Sequence, residues 1–267
     1  MRVTTASVGS IGRLGRAVVH WLAGWWHIVH FGALIGVLAL SPSSYRRENR
    51  AAIARDLVLD TAPVLVWFTL LSSLISLVLI RIVVVTAQSY GLSQYALQMV
   101  VRVLVLELIP LTAALFVAVR CTIPNGVEIA ALRNRGQLDA LRAQGIDPMS
   151  REVLPRVLSG LISVAILAAL SGVVSLVLAY LAVYGFTPWG FVGYTRTVGQ
   201  VFSPAVTLIF AFKTLMFGLA VSLIPMGSAL YDAAGSRSRT SAELRGLVRM
   251  FALILLIEAV SLVGNYY

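Results

Sequence analysis

The sequence predicts an all-α integral membrane protein: five transmembrane helices preceded by an N-terminal interfacial helix. Three observations carry this. Of the 267 residues, 59% are hydrophobic and only 12% charged, against about 25% charged in a soluble domain. Mean hydropathy is +0.90. The apolar residues fall in long runs, and the basic residues crowd the segments between alternate runs. A soluble core has no room for that much apolar surface, so the solvent for most of the chain is lipid.

The elements follow in order. Residues 1–50 form a cytoplasmic segment with an interfacial helix, and 51–267 the five-span body. The N-terminus is basic (Arg2, Arg13, Arg16) and shows no short apolar run ending in a small-residue cleavage site, so no cleaved signal peptide is expected. The apolar stretch 15–40 holds Trp21, Trp25 and Trp26 with His20, His27 and His30. Clustered Trp and His suit the headgroup zone better than the bilayer centre. "SPSSYRREN" (41–49) reads as a hinge. Spans are expected at about 57–80, 95–119, 157–184, 203–230 and 247–265, each near the ~20 apolar residues that cross a bilayer.

Charge sets the orientation. Arg46, Arg47, Arg50 and Arg55 precede the first span. Segment 120–156 is rich in arginine, and 231–249 holds Arg237, Arg239, Arg245 and Arg249. The alternate loops, 82–94 and 185–202, hold only Arg196, with Arg81 at an edge. With five spans the basic segments share one side, which the positive-inside rule makes cytoplasmic. The N-terminus is then cytoplasmic and the C-terminus lies on the far side. The net charge of +10 therefore speaks of topology and anionic headgroups, and no nucleic-acid partner is expected.

Several chemistries lack their residues. Cys121 is the only cysteine, which excludes an intrachain disulfide. Lys213 is the only lysine and follows Phe212, so there is no Walker A loop. Every histidine precedes residue 31, so there is no His-Glu-x-x-His. The three histidines share roughly one helical face, yet they lack a Cys or acid nearby; headgroup contact is the better reading and no metal is expected. Ser159-Gly160 and Ser171-Gly172 read as small-residue packing spots, not nucleophiles. No catalytic residue is assigned.

Charges inside spans are the positive signal. Glu107 lies in "VLELIPL" and Lys213 in "FAFKTLMFG". A charge at the bilayer centre costs about 2.5–3.5 kcal/mol on insertion scales. The two are expected to pair, or to face one polar patch in an apolar cavity; a buried pair that only fixes register is the plainer alternative. Pro110 frees a backbone carbonyl and bends its helix. Arg102 and Glu258 sit nearer span ends and are read as snorkelling to an interface.

The segment "LELIPLTAALFVAVRCTIPNGVEIAALRNRGQLDALRAQGIDP" (106–148) resembles the signature of the MlaE/YrbE family of ABC-transporter permeases. Glu107, Pro110, Arg120, Glu128, Gln137, Asp139, Ala140, Leu141, Gly145, Asp147 and Pro148 fall on matching positions. Pro155-Arg156 follows on cue, and "KTLMFG" (213–218) looks like the family's K-S-x-x-F-G. The likeness spans roughly 55–267. Leu106 stands where an arginine is usual, Ile109 for a glycine, Gly136 for a glutamate and Arg142 often for an acid; "YDAAGSRSRTSAELRG" (231–246) matches the family's later cytoplasmic loop poorly. This is a divergent member.

The resemblance implies a homodimer in the bacterial inner membrane. Two cytoplasmic ABC ATPase subunits dock beneath it, and a periplasmic MCE-domain protein sits above. Its cargo is phospholipid, or a sterol-like or other hydrophobic lipid. This chain holds no cofactor; ATP and Mg belong to the ATPase. Work must then enter through a rigid cytoplasmic element, and 125–144 is expected to be one coupling helix, closed by Gly145 and stopped by Pro148. Its contacts are assigned to Glu128, Arg133, Gln137, Asp139, Leu141, Arg142, Gly145 and Asp147, with Val127, Ala131 and Leu138 supplying apolar surface. Leu106, Glu107, Pro110 and Lys213 are assigned to the lipid path. The competing class is a non-transporting membrane scaffold.

Overall fold

The structure, a computed structural model, describes residues 24–42, 47–231 and 239–266. His20, Trp21 and the basic residues before them lie outside these, as do residues 43–46 of the expected hinge and 232–238. Eight helices organise the described residues: α1 (Gly24–Leu40), α2 (Arg47–Ser89), α3 (Ser93–Asn134), α4 (Gln137–Ala143), α5 (Met149–Tyr184), α6 (Phe191–Val201), α7 (Pro204–Tyr231) and α8 (Arg239–Tyr266). Five of them, α2, α3, α5, α7 and α8, are long and apolar enough to cross a membrane. α1 is shorter. No strand occurs among the described residues.

Every span except α7 outruns its sequence estimate. α2 is a 43-residue helix, about 65 Å at 1.5 Å per residue and twice a bilayer's hydrocarbon core. Residues 61–80 carry no charge; the charged turns before and the Val/Thr-rich turns after continue the helix on either side. The expected loop 82–94 therefore shrinks to 90–92, turned at Gly91 with φ +73°. The 185–202 segment likewise folds into a short 3-10 turn and α6. Because α2 begins at Arg47, the boundary expected at 50 falls inside a helix.

Prolines shape the spans. Val101–Leu108, Ala118–Thr122 and Met149–Val153 wind as π-helix, and each ends two residues before a proline: Pro110, Pro124 and Pro155. A proline has no N–H, so the carbonyl four residues earlier loses its α-helical donor. Those carbonyls belong to Leu106, Arg120 and Arg151, each inside a π stretch. A wider turn re-satisfies them at the cost of a bulge.

Small residues set the crossings. Ser159, Ser163, Ser171 and Ser175 recur at fours along α5 and are buried, so α2 approaches closely along that stripe. Two hydroxyl pairs close the seam, Thr61–Ser163 at 2.6 Å and Ser76–Ser175 at 2.7 Å. Asp60 ties three helices, accepting from Asn125 Nδ2 at 3.0 Å and Ser159 Oγ at 2.9 Å. Without a hydrophobic drive between helices in lipid, close approach and such bonds are what hold a bundle. Gly160 sits where α5 crosses α3 and α7: a Cβ there would meet Ser222 Oγ at 2.5 Å and the Thr122 methyl at 2.7 Å.

The bundle has a basic end and an opposite end. At the basic end Phe31 and Ile35 of α1 pack with Ile129, Leu138, Leu154, Met226 and Leu230. α1 thus rests on the ends of α3, α5 and α7, with Trp26 and Leu40 exposed.

Gly160→Ala should lower stability by about 1–3 kcal/mol through overpacking. Gly36→Ala, where an added Cβ meets nothing within 4 Å, should raise it by up to about 1 kcal/mol through helix propensity. Thermal unfolding of the two variants in one detergent checks the opposite signs.

Candidate functional site

The charges expected inside the membrane meet. Lys213 of α7 forms an ion pair with Glu107 of α3, and a second with Glu258 of α8 at 2.7 Å. Lys213 Nζ lies 3.4 Å from the carbonyl of Leu106, the one that Pro110 strips of its α-helical donor. The Phe217 ring lies one turn on, its centroid 5.7 Å from Nζ. Asn265 Nδ2 donates to Glu107 Oε1 at 2.9 Å. Lys213 is 2% exposed and Glu107 6%. One ammonium is thus held by two carboxylates, a carbonyl and a ring face.

A narrow cleft of about 10 Å³, room for one water, opens beside this cluster. Arg102, Leu106, Glu107, Val201, Val206 and Asn265 line it. Of the four residues assigned to a lipid path, Leu106 and Glu107 face the cleft. Lys213 instead turns to the carboxylates, and Pro110 is packed in the core.

Sequence reasoning passed over Arg102, Glu258 and Asn265, taking the first two as interface-seeking. A signal was present. Glu258, Ser261 and Asn265 stand at i, i+3 and i+7, a polar stripe on an apolar helix. Such a stripe faces protein, not lipid.

The basic end carries the second constellation, and here the structure corrects the sequence. The expected coupling helix 125–144 is two elements. The last turns of α3, continuous with its span, break at Arg135–Gly136, and α4 follows. Gly136 takes φ +70°, which only glycine adopts cheaply; the glycine that departs from the family pattern makes this break. Gly145, φ +74°, closes α4 as expected, with Ile146 N–H on Leu141 O at 3.0 Å and its own N–H on Arg142 O at 2.9 Å. Asp147 then caps α5, accepting from the N–H groups of Met149 and Ser150 at 3.2 Å each.

The assigned contacts divide. Gln137, Asp139 and Arg142 are exposed, and Arg142 pairs with Asp139 at 3.4 Å. Glu128 and Glu152 hold Arg156, at 3.4 and 2.8 Å. These and Leu141 border a groove of about 390 Å³. Arg133 instead caps α7, donating to Leu230 O at its C-terminal end. Leu138 is 7% exposed and belongs to the core, so it forms the floor of the groove rather than an exposed contact. Among the described residues no three His, Cys, Asp or Glu gather as a metal site.

Five helices long and apolar enough to cross a membrane, an ion cluster among them and a charged shelf at one end define a multi-pass membrane protein. The model of the family described as permease MlaE matches residues 53–263. The chain belongs to the MlaE permease family. It is similar to the probable ABC transporter permease proteins of Rickettsia prowazekii (strain Madrid E) and Rickettsia conorii (strain ATCC VR-613 / Malish 7), each 28% identical over 179 residues covering 65% of this chain and 69% of theirs. That of Rickettsia bellii (strain RML369-C) is 27% identical over the same share. It is thus a multi-pass permease subunit of an ABC transporter, not the ATPase, and ATPase subunits are its partners.

Lys213→Met leaves the buried Glu107 and the partly buried Glu258 without their counter-charge and should cost about 3–5 kcal/mol. Adding Glu107→Gln and Glu258→Gln should restore most of it. Thermal unfolding in detergent reads both; an undiminished melting temperature in the single variant overturns the ion-pair account.

Proposed function

We propose that this chain moves phospholipid between the bacterial inner membrane and a periplasmic MCE-domain protein, working as a homodimer above two cytoplasmic ABC ATPases. The supporting observation is the Lys213–Glu107–Glu258 cluster beside its cleft. Register alone does not need it. Ser76–Ser175 and Thr61–Ser163 fix helices with hydroxyls, far more cheaply than three charges, each costing about 2.5–3.5 kcal/mol at the bilayer centre. Charges kept where lipid is the solvent serve a polar visitor. In an otherwise apolar path, that is a headgroup whose tails lie against the spans.

The basic end, cytoplasmic by the positive-inside rule, receives the ATPase. The groove beside α4 takes a complementary element, with Glu128, Gln137 and Glu152 on its walls and Asp139 and Arg142 exposed on the same short helix. Because α3 runs unbroken from the cleft to this shelf, displacement of its last turns is felt at Glu107. α1 lies along the cytoplasmic interface, and the C-terminus is periplasmic.

The charge-free triple variant Lys213→Met, Glu107→Gln, Glu258→Gln tests the transport role. Reconstituted with its ATPase, it should fold and insert yet lose ATP-driven lipid transfer to the MCE protein by about tenfold or more, the loss of one charge-assisted contact. Normal transfer sinks the reading.

Docking is tested by single cysteines. Asp139→Cys and Arg142→Cys should crosslink to the ATPase, and Trp189→Cys, at the opposite end, should not. Efficient crosslinks from position 189 would invert the topology.

A further inference from the structure

We infer that the end of the bundle opposite the charged shelf is a lipid-surface anchor: Phe186, Trp189 and Val192 sit in the headgroup–acyl boundary of the leaflet at that end, and Arg196 meets its phosphates. The inference needs only the membrane-spanning fold and is independent of what the chain carries.

The segment that joins α5 to α6 is fastened from behind. Tyr180 Oη donates to the carbonyl of Thr187 at 2.6 Å, and Thr187 Oγ1 to that of Tyr184 at 2.7 Å. Tyr194 Oη of α6 donates to the Leu176 carbonyl of α5 at 2.8 Å. The rings of Tyr180, Tyr184 and Tyr194 meet one another with centroids between 5.1 and 6.4 Å apart. Gly190 lies against this platform, since a Cβ there would stand 2.5 Å from the Tyr184 ring. Tyr194 and Val201 seal the inner face of α6 into the same buried cluster as Ala87 of α2 and Leu97 of α3. A segment held at so many points has no freedom to tuck its other apolar side chains away. Yet Phe186 is 92% exposed and Trp189 93%, and Val192 is exposed beside them in sequence. Apolar area held outward in this way is stabilised by whatever removes it from water.

Depth, residue type and charge make that covering lipid. Residues 157–184 of α5 carry no charge. They run about 40 Å at 1.5 Å per residue, longer than the ~30 Å hydrocarbon core, so the turn that follows falls in the interfacial zone. Trp and Tyr concentrate there, with the ring in the acyl boundary and the polar edge among headgroups. The α2–α3 turn, at the same end, adds exposed Tyr90. No Asp or Glu occurs between Asp60 and Glu107, or between Glu152 and Asp232, so both turns are free of the charge that phosphates repel. Arg196, exposed one turn after Val192, has the sign that phosphates attract. A protein-docking rim is polar and carries both signs, as the shelf does with Glu128, Glu152 and Arg156; the α5–α6 segment offers one arginine.

The full chain in phosphatidylcholine nanodiscs, open to water on both faces, tests this with an NBD fluorophore on Phe186→Cys or Trp189→Cys. Cys121 is buried, and the parent chain supplies the labelling background. Phosphatidylcholine bearing a nitroxide near the headgroup should quench both labels several-fold more than the same lipid with the nitroxide deep in its acyl chain, and more than aqueous iodide. A label on Asp139→Cys, exposed at the shelf, should be quenched best by iodide. Nitroxide-labelled phosphatidic acid should quench position 189 more than the matching phosphatidylcholine, by about twofold or more, and Arg196→Gln should remove that excess. Because the label replaces an anchor, the native side chain gives a second reading. The fluorescence lost in Trp189→Phe, taken as the difference from the parent chain, should be quenched by lipid brominated near the headgroup and not by iodide. Iodide quenching at 186 and 189 equal to that at 139 overturns the anchor, whether those positions stay open to water or are shielded only when a partner protein is added. Strongest quenching from the deep nitroxide overturns the interfacial placement, and a phosphatidic acid excess that survives Arg196→Gln overturns the role of that arginine.

Discussion

One ammonium in a lipid-solvated bundle dictates much of this structure. Lys213 cannot stay charged among apolar helices without partners, and its partners come from two other helices. Glu107 fixes the rotation of α3, and Glu258 that of α8, so the three helices share one register. The arrangement is self-consistent only as a set. Remove the lysine and two carboxylates repel; remove one acid and the ammonium loses half its counter-charge. Asn265, two turns beyond Glu258 on the same face of α8, extends the set towards the cleft.

The backbone contributes as much as the side chains. Three prolines each strip a carbonyl of its donor, and each lies just beyond a π stretch that widens the turn. In water those carbonyls would be solvated; in lipid they must be met by the protein. At Pro110 the freed carbonyl of Leu106 faces Lys213. The same residue that bends α3 thus helps hold the charge that pins it. The serine stripe of α5 works by a different route, letting backbones approach until hydroxyls pair, with no charge to neutralise.

The two constellations are joined by one continuous helix. α3 carries Glu107 within the membrane and Glu128 at the basic end without a break in its helical path. Gly136 ends that path sharply, and Gly145 and Asp147 reset the chain for α5. α4 is therefore a short block held between two turns, packed inward by Leu138 and presenting Asp139 and Arg142 outward. Arg133 and α1 brace the shelf from behind, through the Leu230 carbonyl and the Phe31 contacts. A push on the shelf travels along α3 through Pro124 and the π stretch Ala118–Thr122 before it reaches the buried cluster.

Local chemistry made the fold class, the five spans, the cap at Gly145 and the pairing of Glu107 with Lys213 legible in the sequence alone. Apolar run length, the cost of a lone charge in lipid and glycine's backbone freedom are properties of neighbouring residues, and they need no tertiary knowledge. The alignment with the family's spaced motif added the class of machine. What escaped was set by distant contacts. Helix ends ran past the apolar runs because α2 and α3 go on as helix beyond the bilayer. The expected coupling helix split because Gly136 takes a positive φ that sequence allows but does not require. Glu258, Asn265 and Arg102 looked like residues near span ends, since depth along a helix can be counted but azimuth against a neighbour cannot. Only the packing of α8 on α7 turned that polar stripe inward. Only there did three charges on three helices become one site, because a buried charge is stabilised by what surrounds it in space.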